Sequence, residues 1–146
     1  MELTLYKEKY SKEISENRIN EITFLSANEL LTEIKSQNIT SRESCIAYCM
    51  RLATIGKDLC LIGDVDFENS IKIAEEADAK IKAAINDKKT HELPYLIGLP
   101  LTVKDVISVK GLNCNLGMQK LATNIIKEDA YLVQVLKENG AIILGL

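Results

Sequence analysis

The sequence predicts an α/β fold, and three observations predict it. Residues 99–146 read as strand, irregular loop, helix and strand, and such a unit crosses over right-handed and implies parallel pairing. Upstream, residues 26–85 carry apolar side chains at helical spacing, so helices dominate that half. The composition, 146 residues with 47% hydrophobic and 27% charged, suits one compact unit able to bury about two-thirds of its unfolded surface. The same figures exclude disordered and collagen-like chains.

Taken in order, Met1–Phe24 is rich in Lys and Glu and lacks the apolar run of a secretory signal. No later window approaches the ~18 apolar residues of a membrane span. The cytoplasm is therefore the expected location, with Cys45, Cys49, Cys60 and Cys114 as buried free thiols. Ser26-Ala27-Asn28-Glu29 has the form of a capping box. It predicts a helix with Leu30, Leu31 and Ile34 on its apolar face, ended by Ser36-Gln37-Asn38. Thr40-Ser41-Arg42-Glu43 repeats the signature, and Cys45, Ile46, Cys49, Met50 and Ala53 carry a second helix to about Ile55, stopping near Gly56. Leu59–Val65 reads as a short strand broken by Gly63 and Asp64. From Asp66, a good N-cap, Phe67, Ile71, Ala74, Ala77, Ile81 and Ile85 trace one helical stripe.

Asn86–Glu92 is a polar loop that includes His91, and Leu93–Leu99 leads out of it. Leu101, Val103, Val106, Ile107 and Val109 then predict a strand that begins just after Pro100 and ends near Asp105 or Val106. Gly111 and Gly117 punctuate an irregular stretch. A helix follows over residues 128–139, closed by Gly140, and Ala141–Leu144 is a second buried strand.

The net charge of −3, from 18 Lys+Arg against 21 Asp+Glu, supplies no attraction to nucleic-acid phosphates or anionic lipid, and neither partner is expected. Cys45 and Cys49 fall at i, i+4, but a zinc site needs four ligands, and Cys60, Cys114 and His91 are too scattered to complete one. The thiols read as small buried hydrophobes, and no metal is expected. The unusual feature is Lys104-Asp105 inside an apolar run. It fits an exposed strand end followed by a turn. It also fits a catalytic lysine at the carboxyl end of a parallel strand, where α/β proteins bind ligands and where desolvation favours the neutral amine. Spacing alone does not choose.

Gly98-Leu99-Pro100-Leu101-Thr102-Val103-Lys104-Asp105 resembles the G-[IV]-P-x-x-[IV]-K-D segment of the amidase signature family. Val109-Lys110-Gly111, Asn115-Leu116-Gly117, Asp129-Ala130 and Gly140-Ala141-Ile142-Ile143-Leu144-Gly145 are similar to that family's pattern in order and approximate spacing. Ser26–Leu30, Ile39–Glu43 and Ala74–Asp78 resemble its upstream helices. The resemblance covers about residues 24–146, dividing the chain into an amino-terminal extension, 1–23, and the amino-terminal part of an amidase domain, 24–146.

The resemblance implies helices packed on a large mixed sheet, incomplete in this chain, and a Ser, cis-Ser, Lys triad that hydrolyses or transfers amide groups. Lys104 matches the triad lysine. In the implied mechanism the neutral lysine draws a proton through the bridging serine from the nucleophilic serine, and the same relay protonates the leaving amine. Backbone N–H groups of the serine loop hold the oxyanion. The mechanism requires an uncharged lysine, which burial favours. A small-molecule amide is the implied substrate and no cofactor is implied; a homo-oligomer is left open.

Both serines of the family lie in a Gly-Ser-Ser-Gly type segment beyond the last strand, and no such segment occurs up to Leu146. The expectation is an amino-terminal amidase fragment, inactive by itself, with exposed apolar faces and an unpaired sheet edge. Leu116-Gly117-Met118 and the helix around Tyr131–Lys137 resemble the fatty-acid amide hydrolase branch, which implies fatty acyl amides. The A subunit of the tRNA-dependent amidotransferase is the alternative, and a non-catalytic binding product is a third reading.

Overall fold

In chain order, α1 (Leu3–Tyr10) precedes four helices that each begin on a polar side chain: α2 (Glu16–Thr23) on Ser15, α3 (Ala27–Lys35) on Ser26, α4 (Ser41–Arg51) on Thr40 and α5 (Phe67–Asn86) on Asp66. Each cap accepts a hydrogen bond from the N–H three residues on, satisfying one of the orphan donors of a helix start. The structure is a computed structural model and describes residues 3–146. Met1 and Glu2, the first residues of the 1–23 extension, lie outside the described residues.

At Ser26 the reciprocal box is complete, with the Glu29 carboxylate accepting from the Ser26 N–H at 2.8 Å. At Thr40 only half of it forms. Glu43 turns away to Arg18, accepting from Nε at 2.7 Å and from Nη2 at 3.2 Å, a bidentate ion pair that ties α2 to α4.

Three local expectations differ from the structure. The second helix does not stop at Gly56; it passes through a π-helical turn, Leu52–Gly56, where the Thr54 hydroxyl donates back to the Met50 carbonyl at 2.8 Å. The chain reverses at Cys60, whose φ is +54°. Leu59–Val65 forms no strand, because Leu59 and Leu61 find nothing to bury them, and only Val65 makes a single antiparallel bridge, to Gly145. Cys60 shares that exposure, whereas Cys45, Cys49 and Cys114 are buried as expected.

The α5 stripe is buried from Phe67 to Ile81, and Ile85 emerges near the helix end. The same face carries a buried carboxylate that hydrophobic periodicity does not reveal. Asp78 accepts from the N–H groups of Ser41 at 2.7 Å and Arg42 at 3.0 Å. It therefore caps the positive end of α4 from a neighbouring helix.

Strands β1 (Pro100–Thr102) and β2 (Ile142–Gly145) pair in parallel, with Pro100 opposite Ile142 and Leu101 opposite Ile143, and α6 (Tyr131–Glu138) lies between them in sequence. This is the expected strand–helix–strand unit. β1 ends at Thr102 rather than near Asp105, because the chain turns where the Ile107 N–H donates to the Lys104 carbonyl at 2.8 Å. α6 begins at Tyr131 rather than 128, since the Asp129 carboxylate is engaged by the Lys110 N–H and the Lys137 amine.

Ile142 and Leu144 join the helical core, which contains Ile34, Ile46, Ile81 and also Tyr6, Tyr10 and Ile22 from the first two helices. Residues on both sides of the 23/24 division thus share one core. Its amino-terminal part includes the Tyr6 ring packed at 4.5 Å from Tyr10 and 4.7 Å from Phe67. Ile143 and Leu146 join a second cluster with Val109, Leu112 and Val133. Tyr131 and Leu132 on α6 are exposed, as are Val106, Leu116, Met118 and Ile125. Among the described residues, no helix is long and apolar enough to cross a membrane.

Candidate active site

Two glycines set the place of β1. The Gly98 N–H donates to the Gly140 carbonyl at 2.9 Å, and the Ile142 N–H donates to the Leu99 carbonyl at 2.9 Å. The segments entering the two strands therefore run side by side, backbone to backbone. At Gly140, with φ of +87°, a Cβ would stand 2.8 Å from the Ile97 Cα. At Gly98, with φ of +79°, a Cβ would stand 2.7 Å from the Ser41 hydroxyl oxygen, which itself donates to the Gly98 carbonyl at 2.9 Å. Both positions need the close approach and the left-handed backbone that glycine allows.

Lys104 lies two residues past Thr102, at the carboxyl end of the parallel pair. This is the position expected of a ligand-facing residue in an α/β protein. Its side chain is exposed. The described residues thus do not supply the burial on which the expected mechanism depends.

The irregular segment that follows Asp105 is held by carboxylates. Asp105 accepts from the Asn115 N–H at 3.0 Å, and its carbonyl accepts from the Cys114 thiol at 3.0 Å. Asp64 accepts from the Asn113 N–H at 2.7 Å and from the Val65 N–H at 2.9 Å. The chain then takes left-handed conformations at Leu116 and Gly117, where the Gly117 N–H donates to the Asn115 side chain at 2.8 Å. Burial and the neighbouring Asp105 push the Cys114 thiol up. In the sequence Asp105 stands out only as the companion of Lys104, and Asp64 only as a breaker of a strand. A carboxylate within an apolar segment was the available signal.

The other residues weighed for chemistry lie elsewhere. Cys45 and Cys49 sit in the core side of α4, where burial pushes both thiols up, Cys49 to about 12. His91 is exposed in a 3-10 turn. A cleft of about 270 Å³ lies over β2 and α5, lined by Ile73, Ala77, Ile97, Val109, Leu112 and Ile143, and Lys104 is not part of it.

Comparisons with known proteins speak to the family and the fold. The profile of the family described as Amidase matches residues 43–146. The chain is 30% identical over 125 residues to the A subunit of the glutamyl-tRNA(Gln) amidotransferase of Clostridium botulinum, a match that covers 86% of this chain and 24% of that protein. It is 30% identical over 122 residues to an acylamidase of Rhodococcus erythropolis, covering 84% of this chain and 24% of that protein. Among solved structures, a fatty acid amide hydrolase superposes with a TM-score of 0.71 at 22% identity, over 95% of this chain and 24% of that one. An amidase family protein of Bacillus anthracis superposes with a TM-score of 0.73 at 21% identity, over 99% and 29%. At such identities the structures speak for the fold. The chain spans about a quarter of the length of the curated relatives it matches. A family profile that covers residues 43–146, and a fold shared with solved amidases, carry one conclusion: this chain belongs to the amidase family.

Proposed function

We propose that these residues form the amino-terminal part of an enzyme that cleaves amide carbon–nitrogen bonds, with Lys104 as its base. The observation that carries this reading is the place of Lys104, at the carboxyl end of β1 and inside the segment that the family profile covers. In the reaction, the neutral amine of Lys104 draws a proton through a bridging serine from a nucleophilic serine, which attacks the amide carbonyl. The proton then returns along the same relay to the leaving amine, and water releases the acyl group. The serines would come from the part of a full-length protein that corresponds to the remaining three-quarters of the relatives, and its packing would bury Lys104. By itself this chain is proposed to be inactive.

A fatty acyl or other apolar amide is the proposed substrate, supported by Leu116 and Met118, which the loop after Asp105 presents to solvent. Transamidation is the second reading, compatible with the 30% identity to the A subunit of an amidotransferase. The cytoplasm is the proposed location, a reducing setting in which four free cysteines persist.

The test is amine release from long-chain and short-chain amides by the protein expressed from its whole reading frame, with and without Lys104→Ala. Hydrolysis that falls by about 10²–10⁴ in the variant is expected. No hydrolysis by the unaltered enzyme, or full activity in Lys104→Ala, overturns the proposal. Glutamine-dependent transfer to a charged tRNA selects the second reading.

A further inference from the structure

Residues 113–115 lie outside any helix or strand. An isolated antiparallel bridge from Asn113 to Ile125 and the Asn124 side-chain amide, which donates to the Cys114 carbonyl, tie them to the following turn, and two of their three N–H groups are in addition engaged by carboxylates. Asp64, 49 residues upstream, accepts from Asn113 through Oδ2 at 2.7 Å while its Oδ1 accepts from Val65 at 2.9 Å. Its carbonyl also accepts from Leu146 N–H at 2.9 Å, just past β2. Asp105, just past β1, accepts from Asn115 through Oδ1 at 3.0 Å. Two side chains anchored at the ends of the two strands thus grip three consecutive residues of one loop, and Lys104 is the chain neighbour of one of them.

We propose that Asp64 and Asp105 are positioning residues, which fix the backbone of Asn113–Asn115 against the carboxyl ends of β1 and β2 so that this loop forms a rigid wall beside Lys104. The catalytic consequence rests on the amidase reading; the clamp itself does not. Charge-assisted bonds from carboxylate to backbone N–H are the stronger kind, and losing one leaves an N–H without its acceptor. The two aspartates differ in how they do this. Asp105 uses one carboxylate oxygen, so an asparagine there keeps the acceptor. Asp64 uses both, so an asparagine there must turn an amide NH₂ towards one of two N–H donors.

The experiment compares Asp64→Ala, Asp64→Asn, Asp105→Ala and Asp105→Asn. Backbone amide exchange in the 146-residue chain is read by NMR, and kcat and KM are read in the protein from the whole reading frame. Faster exchange at Asn115 is expected in Asp105→Ala and its rescue in Asp105→Asn, whereas both Asp64 variants speed exchange at Asn113 or Val65. In the complete enzyme the non-rescued variants lose up to about 100-fold in kcat, the scale of a 1 Å misplacement, with KM little changed. Unchanged exchange in Asp105→Ala, or equal kcat in Asp105→Ala and Asp105→Asn, overturns the proposal. If an Asp64 variant does not fold, the Asp105 pair decides. If the unaltered enzyme hydrolyses no amide, the amidase reading fails, and the exchange pattern still decides whether the clamp exists.

Discussion

Replacing Gly140 by alanine tests how closely the segment entering β2 packs against Ile97. Two costs add at that position. A side chain held at φ of +87° is strained by about 1–2 kcal/mol. Its Cβ would also stand 2.8 Å from the Ile97 Cα and 3.1 Å from the Ile97 N. These are backbone atoms that cannot swing aside, so an overpacking cost of about 1–3 kcal/mol follows. The sum, about 2–5 kcal/mol, is a large part of the roughly 5–15 kcal/mol that holds a domain together. Two controls separate the contributions. Gly111 has φ of +88° and open space around its Cβ position, so Gly111→Ala carries the conformational cost alone, partly offset by a less flexible unfolded chain. Gly145 is outside the left-handed region, and its Cβ would meet the Asp64 carbonyl oxygen at 2.5 Å and Val65 Cγ1 at 2.8 Å, so Gly145→Ala carries the steric cost alone. Urea unfolding followed by circular dichroism reads all three, and with a slope of about 2 kcal/mol per molar the Gly140→Ala midpoint drops by about 1–2.5 M. A Gly140→Ala protein no less stable than Gly111→Ala would refute the claim that Ile97 blocks the site.

Other consequences are independent of that one. Asp78→Ala removes the acceptor shared by the Ser41 and Arg42 N–H groups and is expected to cost about 1–3 kcal/mol in the same assay, because it deprives α4 of a buried cap. Burial alone pushes the Asp129 carboxyl up, but the Lys137 amine and the Lys110 N–H more than offset this and hold it below the usual range. Its folded-state value therefore lies beneath its unfolded one. The resulting stability is fully present above the unfolded value near about 4 and is lost as pH falls through the lower folded one. Asp129→Asn should flatten that part of the acid limb in unfolding curves taken between neutral and acidic pH. With an aromatic disulfide reagent at mildly alkaline pH, Cys60 should react at once, while Cys45 and Cys49 react only on unfolding, since burial pushes their thiols up. Rapid labelling of Cys49 would contradict the packing of α4.

Features decided within a few residues of chain were legible. The caps at Ser26, Thr40 and Asp66, the stripe from Phe67 to Ile81 and the left-handed Gly140 are all short-range, so their residue types announce them. The order of strand, helix and strand was also legible, because the change from helical spacing to β-branched runs marks each element and its handed connection implies parallel pairing. The segment ending in Lys104-Asp105 identified the family by its pattern of residues, which the profile match supports.

What the sequence could not determine depended on partners far away in the chain. Glu43 leaves its cap for Arg18, 25 residues earlier, and Asp78 is buried because α4 brings two N–H groups to it. Leu59–Val65 has the composition of a strand but only one bridge, since pairing needs a neighbour that composition does not supply. Strand lengths and the exposure of Lys104 follow the same rule. An apolar run states that a segment can be buried, and only the tertiary arrangement decides what lies over it. The grip of Asp64 and Asp105 on one loop is the clearest case, because two carboxylates 41 residues apart in sequence acquire a shared task only when the ends of β1 and β2 stand side by side.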